Sequence, residues 1–195
     1  MKKTIKINSE ESGQAVLELA FVVVMMCILV FGVIDFGRAI YDQEVMKNLA
    51  GEGSSMASRG TPAVTAASTL VTYADSDINV ASKGCIVITT ISNLGGTPPV
   101  ITITGQVFQG SISGCGPTSS TNTNLSRIGC YTGTNCVQTT TMIPTAAKNA
   151  LTNEPVGSSI YATEIFYTYS TVSPVMGLLH TQNLLPTDLY SVAYY

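Results

Sequence analysis

Glu18 stands four residues beyond Gln14, and an almost unbroken apolar run, Leu19 to Ile34, follows it. A carboxylate at the centre of a membrane span costs about 2.5–3.5 kcal/mol on insertion scales. Glu18 lies roughly 6 Å along a helix from Gln14, near enough to the polar end to snorkel in part, so its cost is lower. An acid in that place still calls for a partner. The cysteines are the second group with chemistry to offer. Cys85, Cys115, Cys130 and Cys136 form an even set in Gly/Ser/Thr-rich sequence, while Cys27 lies inside the apolar run as a small hydrophobe. Their gaps of 30, 15 and 6 lack the paired C-x-x-C spacing of zinc sites, the rival reading, so disulfides are expected. Three connectivities are open, and an oxidising compartment such as a bacterial periplasm would suit them.

The remaining polar residues do not assemble into a reaction centre. His180 is the only histidine, so Ser-His-Asp, Cys-His and histidine-rich metal sites lack their parts. Asp75 and Asp77 do not make a calcium loop, and no phosphate-cradling glycine motif is present. Glu164 falls in a β-like stretch, where a solvated sheet-face charge is the default and a buried pair the alternative. The expectation is a chain that is not an enzyme, with no catalytic residue, metal, cofactor or small-molecule substrate.

The elements that position Glu18 come first in the chain. Met1 to Gly13 is a short leader carrying Lys2, Lys3 and Lys6, then Glu10 and Glu11. Ala15 to Ile34 has 20 residues, enough to cross a hydrocarbon layer of about 30 Å. The lysines place the leader in the cytoplasm and the C-terminal bulk across the membrane. A cleaved secretory signal would have a shorter apolar core and a small-x-small site, whereas this run continues into helix-forming sequence. A plain signal anchor leaves Glu18 unexplained. The helical pattern runs on to Ser58, with Asp35 and Arg38, then Glu44 and Lys47, three apart on one face; Asp35 and Arg38 are the candidate membrane-interface pair. Ile40, Val45 and Leu49 mark this extension, and Gly51 and Gly53 are expected to weaken its last turns. A helix from Gln14 to Ser58 would measure about 65–70 Å. Gly32 and Gly37 are too far apart for a G-x-x-x-G dimer motif.

Beyond the break at Arg59–Pro62 the pattern predicts a second helix, Pro62 to Ala74, with Thr61–Pro62 at its start. Cys85 to Ser92 and Val100 to Phe108, joined through Gly95-Gly96-Thr97-Pro98-Pro99, read as an antiparallel hairpin. Gly110 to Thr134 is loop-like and holds two of the cysteines, Cys115 and Cys130. Pro144 to Leu151 reads as a short helix and Ile160 to Val172 as a strand, with Tyr161, Ile165, Tyr167 and Tyr169 on one face. The apolar and aromatic tail has pieces too short to span a membrane and is expected to pack on the sheet or a neighbour.

Charged residues are only 11% of the chain and the net charge is −3. From Asp35 onward there are six Lys/Arg against nine Asp/Glu, so no basic patch exists for a phosphate backbone and nucleic acid is excluded as a partner.

Two separated segments resemble one family. G-Q-A-V-L-E at residues 13–18 and I-D-F-G-R-A-I-Y at 34–41, together with A-T-E-I-F-Y-T-Y-S-T-V-S-P-V-M-G and L-P-T-D-L-Y-S-V-A-Y-Y near the C-terminus, are similar to the TadE-like pseudopilins of the Tad (Flp, type IVc) pilus system. The resemblance implies a precursor cut after Gly13 by a membrane-embedded aspartyl prepilin peptidase, leaving Gln14 as the new N-terminus and Glu18 as the fifth mature residue. It also implies that the Glu18 carboxylate pairs with the Gln14 amine of a neighbouring subunit. The leader acids Glu10 and Glu11 and the cysteine-bearing middle depart from the pattern of a small major pilin and point to a minor component.

The expected fold is therefore α+β: a leader (1–13), a long pilin-like N-terminal helix (14–59, membrane span about 15–34) and a periplasmic domain on an antiparallel sheet (60–195). The expected protein is a single-pass inner-membrane one, N-terminus cytoplasmic, C-terminal domain periplasmic or in an extracellular pilus. Its expected role is that of a minor pilin or pseudopilin in assembling a Tad-type pilus for adherence or secretion. The membrane, a prepilin peptidase, other pilin subunits and the Tad machinery would be its partners. The alternative is a membrane-tethered adhesin or binding module that never enters a filament.

Overall fold

The computed structural model describes residues 9–74, 78–112, 115–116, 125–129, 143–170 and 188–195. The expectations placed on Lys2, Lys3, Lys6, Asp75, Asp77, Cys130, Cys136 and His180 lie outside them, as do those on the side chains of Glu10 and Glu11. The chain divides into two units, Met1–Ala39 with Thr171–Leu185, and Ile40–Ser170 with Pro186–Tyr195.

Helix α1 spans Ser9–Ser58 and is 50 residues long, so the helical pattern past Ile34 is a true continuation. In the first unit every large apolar side chain it carries, from Val16 to Phe36, is exposed. Among the described residues this is the one helix long and apolar enough to cross a membrane. A helix with its whole circumference apolar needs a solvent of its own kind.

The second unit is built on four strands: β1 (Gly84–Asn93), β2 (Ile101–Gly110), β3 (Ser159–Thr168) and β4 (Asp188–Tyr194). All neighbours are antiparallel, in the order β2-β1-β3-β4. The predicted hairpin is present as β1–β2, and the aromatic tail supplies β4, which pairs with β3. Helices α2 (Ala63–Ala74), α3 (Val80–Lys83) and α4 (Thr145–Thr152) complete the unit; α2 and α4 match their predicted positions to within a residue.

Strict alternation through I-T-I-T-G-Q-V-F would put Ile101 and Ile103 on the opposite face from Gln106 and Phe108. A β-bulge intervenes. Thr90 pairs with Gly105 and Ile91 with Ile103, leaving Thr104 as the extra residue. The shift turns Ile101 and Ile103 onto the face of Ile91, where Ile103 is fully buried. The Thr104 hydroxyl shares a 2.7 Å hydrogen bond with Ser92.

The other face carries Ile86, Ile88, Thr163 and Ile165, all without exposed surface. The second-unit part of α1 buries Met46, Ala50, Gly53, Ser54 and Ala57, spaced to share one helical stripe. Ile40 is exposed, and Val45 and Leu49 are only half-buried, so the larger apolar residues of this extension other than Met46 lie off the packed stripe. Gly53 is a contact and not a weak point. A Cβ there would stand 2.6 Å from Leu70 Cδ1 of α2 and 2.9 Å from Thr163 Cγ2 of β3. Absence of a side chain lets helix and sheet approach, which offsets the glycine's helix-propensity cost of about 1 kcal/mol.

Thr163 Oγ1 is buried at this contact and finds no hydrogen-bond partner among the described residues. Thr163→Val keeps the shape and removes the unsatisfied oxygen, so it should raise stability by about 1 kcal/mol. Thermal unfolding of the detergent-solubilised protein would measure this; a lowered midpoint would contradict it.

Candidate functional site

Gly13, Gln14 and Glu18 all lie on α1, and the surroundings of Gly13 are open: a Cβ there would meet nothing within 4 Å. Gln14 and Glu18 are one turn apart on the same helical face, and both are exposed. The Gly13–Gln14 bond is itself helical, because α1 begins at Ser9. Farther along, Asp35 is buried, at 2% exposure, and Arg38 is exposed. Their three-residue spacing places them on neighbouring parts of one helix surface.

Of the four candidate cysteines, Cys85 and Cys115 are bonded to each other, with sulfurs 1.98 Å apart. The bridge ties the first residues of β1 to the segment after β2, inside an apolar cluster of Val87, Phe166, Phe108, Ile112, Leu125 and Tyr190. Cys27 is a free, exposed thiol on α1.

Sequence reasoning missed the polar centre of the second unit. Glu164 has no exposed surface, so the solvated-charge expectation is wrong. The residue sits on the central part of β3, opposite Val87 of β1 and Val192 of β4, and the sheet face it occupies is covered. Its carboxyl accepts from the Ser126 hydroxyl at 2.5 Å, the Arg127 backbone N–H at 2.8 Å and the Tyr190 hydroxyl at 2.9 Å. Burial raises its pKa above the usual 4.5, against the lowering pull of these donors and of the Ile128 N–H. Burial, then the Glu164 charge, also raises the Tyr190 hydroxyl and pushes Tyr194 up to about 12. The Arg127 guanidinium lies 4.1 Å from the centre of the Tyr190 ring, a cation–π contact, and Tyr190 in turn meets the Phe166 ring at 5.0 Å.

Gln106 of β2 extends the polar belt, donating to Thr89 of β1 and to the Gly129 carbonyl, each at 3.0 Å. At the far end of the same face Asn93 donates to the carbonyls of Leu151 and Glu154 and accepts from the Gly95 N–H. These contacts fasten connecting segments to the sheet. The only sign of Glu164's role in the sequence is an acid between apolar and aromatic neighbours in a strand, and its partner residues 126–128 lie 36–38 positions away.

The described residues contain no group of three or more His, Cys, Asp or Glu placed to hold a metal ion. No curated protein and no solved structure matches the chain. Residues 13–55, from the Gly13–Gln14–Glu18 set to the stripe of α1 that meets the sheet, match the family model described as TadE-like protein, and over this stretch the chain is similar to that family.

Proposed function

We propose that this chain is a minor pilin or pseudopilin that takes part in assembly of a Tad-type pilus. A structural, pilus-associated role with a single membrane span is supported by the TadE-like match and by the one long apolar helix among the described residues. One observation carries the finer reading. Gly13, Gln14 and Glu18 stand together at the head of the apolar stretch of α1, whose large side chains from Val16 to Phe36 are all exposed, inside the matched residues.

A prepilin peptidase cutting after Gly13 leaves Gln14 with an α-amine. A protease takes its substrate extended, so the helical turn at Gly13 must first open. Glycine eases that step, being about 1 kcal/mol poorer than alanine in a helix. The amine then pairs with the Glu18 carboxylate of a neighbouring subunit. In a low-dielectric bundle such a pair offsets its desolvation only when the geometry is good, so it selects one stagger between subunits more than it adds stability. Asp35, buried, and Arg38, exposed, lie at the outer end of the span, where the long Arg38 side chain reaches the interface.

The filament reading and the tethered-adhesin reading separate on fractionation. Sheared pili should contain the protein as a small molar share of the fibre. Retention of all of it in the membrane, with none in the sheared fraction, would favour the tether.

Cys130 and Cys136 form the second bridge in this account, alongside Cys85–Cys115. Thiol labelling of the unreduced, denatured protein should then modify Cys27 alone. Labelling at Cys130 and Cys136 as well would reduce the framework to one bridge.

A further inference from the structure

The sheet face that bears Glu164 holds two separate apolar clusters. One contains Ile91, Ile103, Ala162, Ala147, Leu151 and Ile128. The other contains Val87, Phe166, Phe108, Leu125 and the Cys85–Cys115 bridge. The segment 125–129 crosses between them, with Leu125 in one cluster and Ile128 in the other. Its middle rests on Glu164, through the Ser126 hydroxyl and the Arg127 N–H, and its last residue is held by Gln106 through the Gly129 carbonyl. The same carboxyl receives the hydroxyl of Tyr190 from β4. One buried acid therefore joins a crossing strap to two strands.

The charges around it do not neutralise it. Arg127 is the cation of the strap, and its guanidinium lies over the Tyr190 ring, with no ion pair to Glu164 among the described residues. From β4 the titratable groups are Tyr190, Tyr194 and Asp188, the last exposed at the strand's start and accepting from the Thr168 hydroxyl. β1 and β2 contribute Thr89 and Gln106, and α4 contributes Ala147 and Leu151; none of these titrates. A hydroxyl can donate or accept, so the Ser126 contact survives protonation with donor and acceptor exchanged, while Oε1 continues to accept from Arg127 N–H and Tyr190. The neutral acid thus keeps its contacts with Ser126, Arg127 N–H and Tyr190 and loses the desolvation cost of a charge between two apolar clusters.

We propose that Glu164 is a proton-operated clasp, which in its neutral form holds the 125–129 strap on the sheet and on ionising loosens it. The sign follows from burial, which raises the carboxyl above the usual 4.5. A group raised in the folded state contributes stability that is complete below its unfolded value and is lost as pH climbs through the folded value. The strap is therefore tightest in acid and relaxes toward neutral and alkaline pH.

Hydrogen exchange at the Arg127 and Ile128 amides of the full-length protein in detergent micelles, divided by the intrinsic rate at each pH, reads the clasp directly. Protection should be greatest below pH 4.5 and fall as the pH climbs toward 8, tenfold for each unit by which the folded value exceeds the ordinary one. In Glu164→Gln, which is neutral throughout, the dependence should vanish. A flat wild-type profile, or one that Glu164→Gln retains, overturns the proposal. The wild-type side chain supplies a second test through the 13C shift of its carboxyl carbon. A midpoint above 4.5 is expected, and one at or below it overturns the clasp even if the variant does not fold.

Discussion

Replacing Glu18 with alanine is expected to leave the chain inserted in the membrane and to remove it from the assembled fibre. Insertion should if anything improve, because an acid near the head of the span is lost and the exposed apolar side chains from Val16 to Phe36 are untouched. Assembly should fail because the amine of Gln14 then enters a low-dielectric bundle with no carboxylate to meet it. An unpaired buried charge costs several kcal/mol, whereas a loss of 1.4 kcal/mol already means a tenfold drop. Incorporation into sheared pili should fall at least about tenfold. Glu18→Gln separates charge from shape: it keeps a hydrogen-bonding group of equal size and should fail nearly as badly. Full incorporation of Glu18→Gln, scored by immunoblot of the sheared fraction against the membrane fraction, would show that the charge is not what selects the stagger.

The second large effect falls in the other unit. Glu164→Leu removes the acceptor of the Ser126 hydroxyl, the Arg127 N–H and the Tyr190 hydroxyl without supplying another. The Arg127 N–H and the Tyr190 hydroxyl lose their acceptor at about 1–3 kcal/mol each, so the unit should lose roughly 2 kcal/mol or more. The loss should appear as a lowered midpoint of unfolding in detergent, together with early protease cleavage within 125–129. Glu164→Gln restores an acceptor for the Arg127 N–H and should recover most of the loss at neutral pH. A midpoint within 0.5 kcal/mol of wild type for Glu164→Leu, the range of ordinary surface changes, would mean that the polar belt contributes little.

The two units differ in how far the sequence disclosed them. The apolar run of α1 has a simple signature, because a helix surrounded by hydrocarbon is apolar on all sides, and Glu18 is conspicuous against it. The hairpin strands also announce themselves through β-branched residues and a Gly/Pro turn. The bulge at Thr104 was hidden, since alternation through Ile101–Gly105 looks regular and one unpaired residue leaves no compositional trace. The buried stripe of α1 was hidden for a related reason. Apart from Met46 its contact residues are small, Ala50, Gly53, Ser54 and Ala57, so no hydrophobic pattern marks the face that packs. Glu164 was misjudged because a carboxyl's environment is set by distant segments. Its donors come from residues 126, 127 and 190, and no local pattern around residue 164 encodes them.

The central claim joins Gly13, Gln14 and Glu18 into one assembly unit, and the intact mass of the mature protein tests it most directly. Purified from cells that make the pilus, the chain should begin at Gln14, having lost residues 1–13. A mature chain that still begins at Met1, or one cut beyond Ile34, would contradict the account.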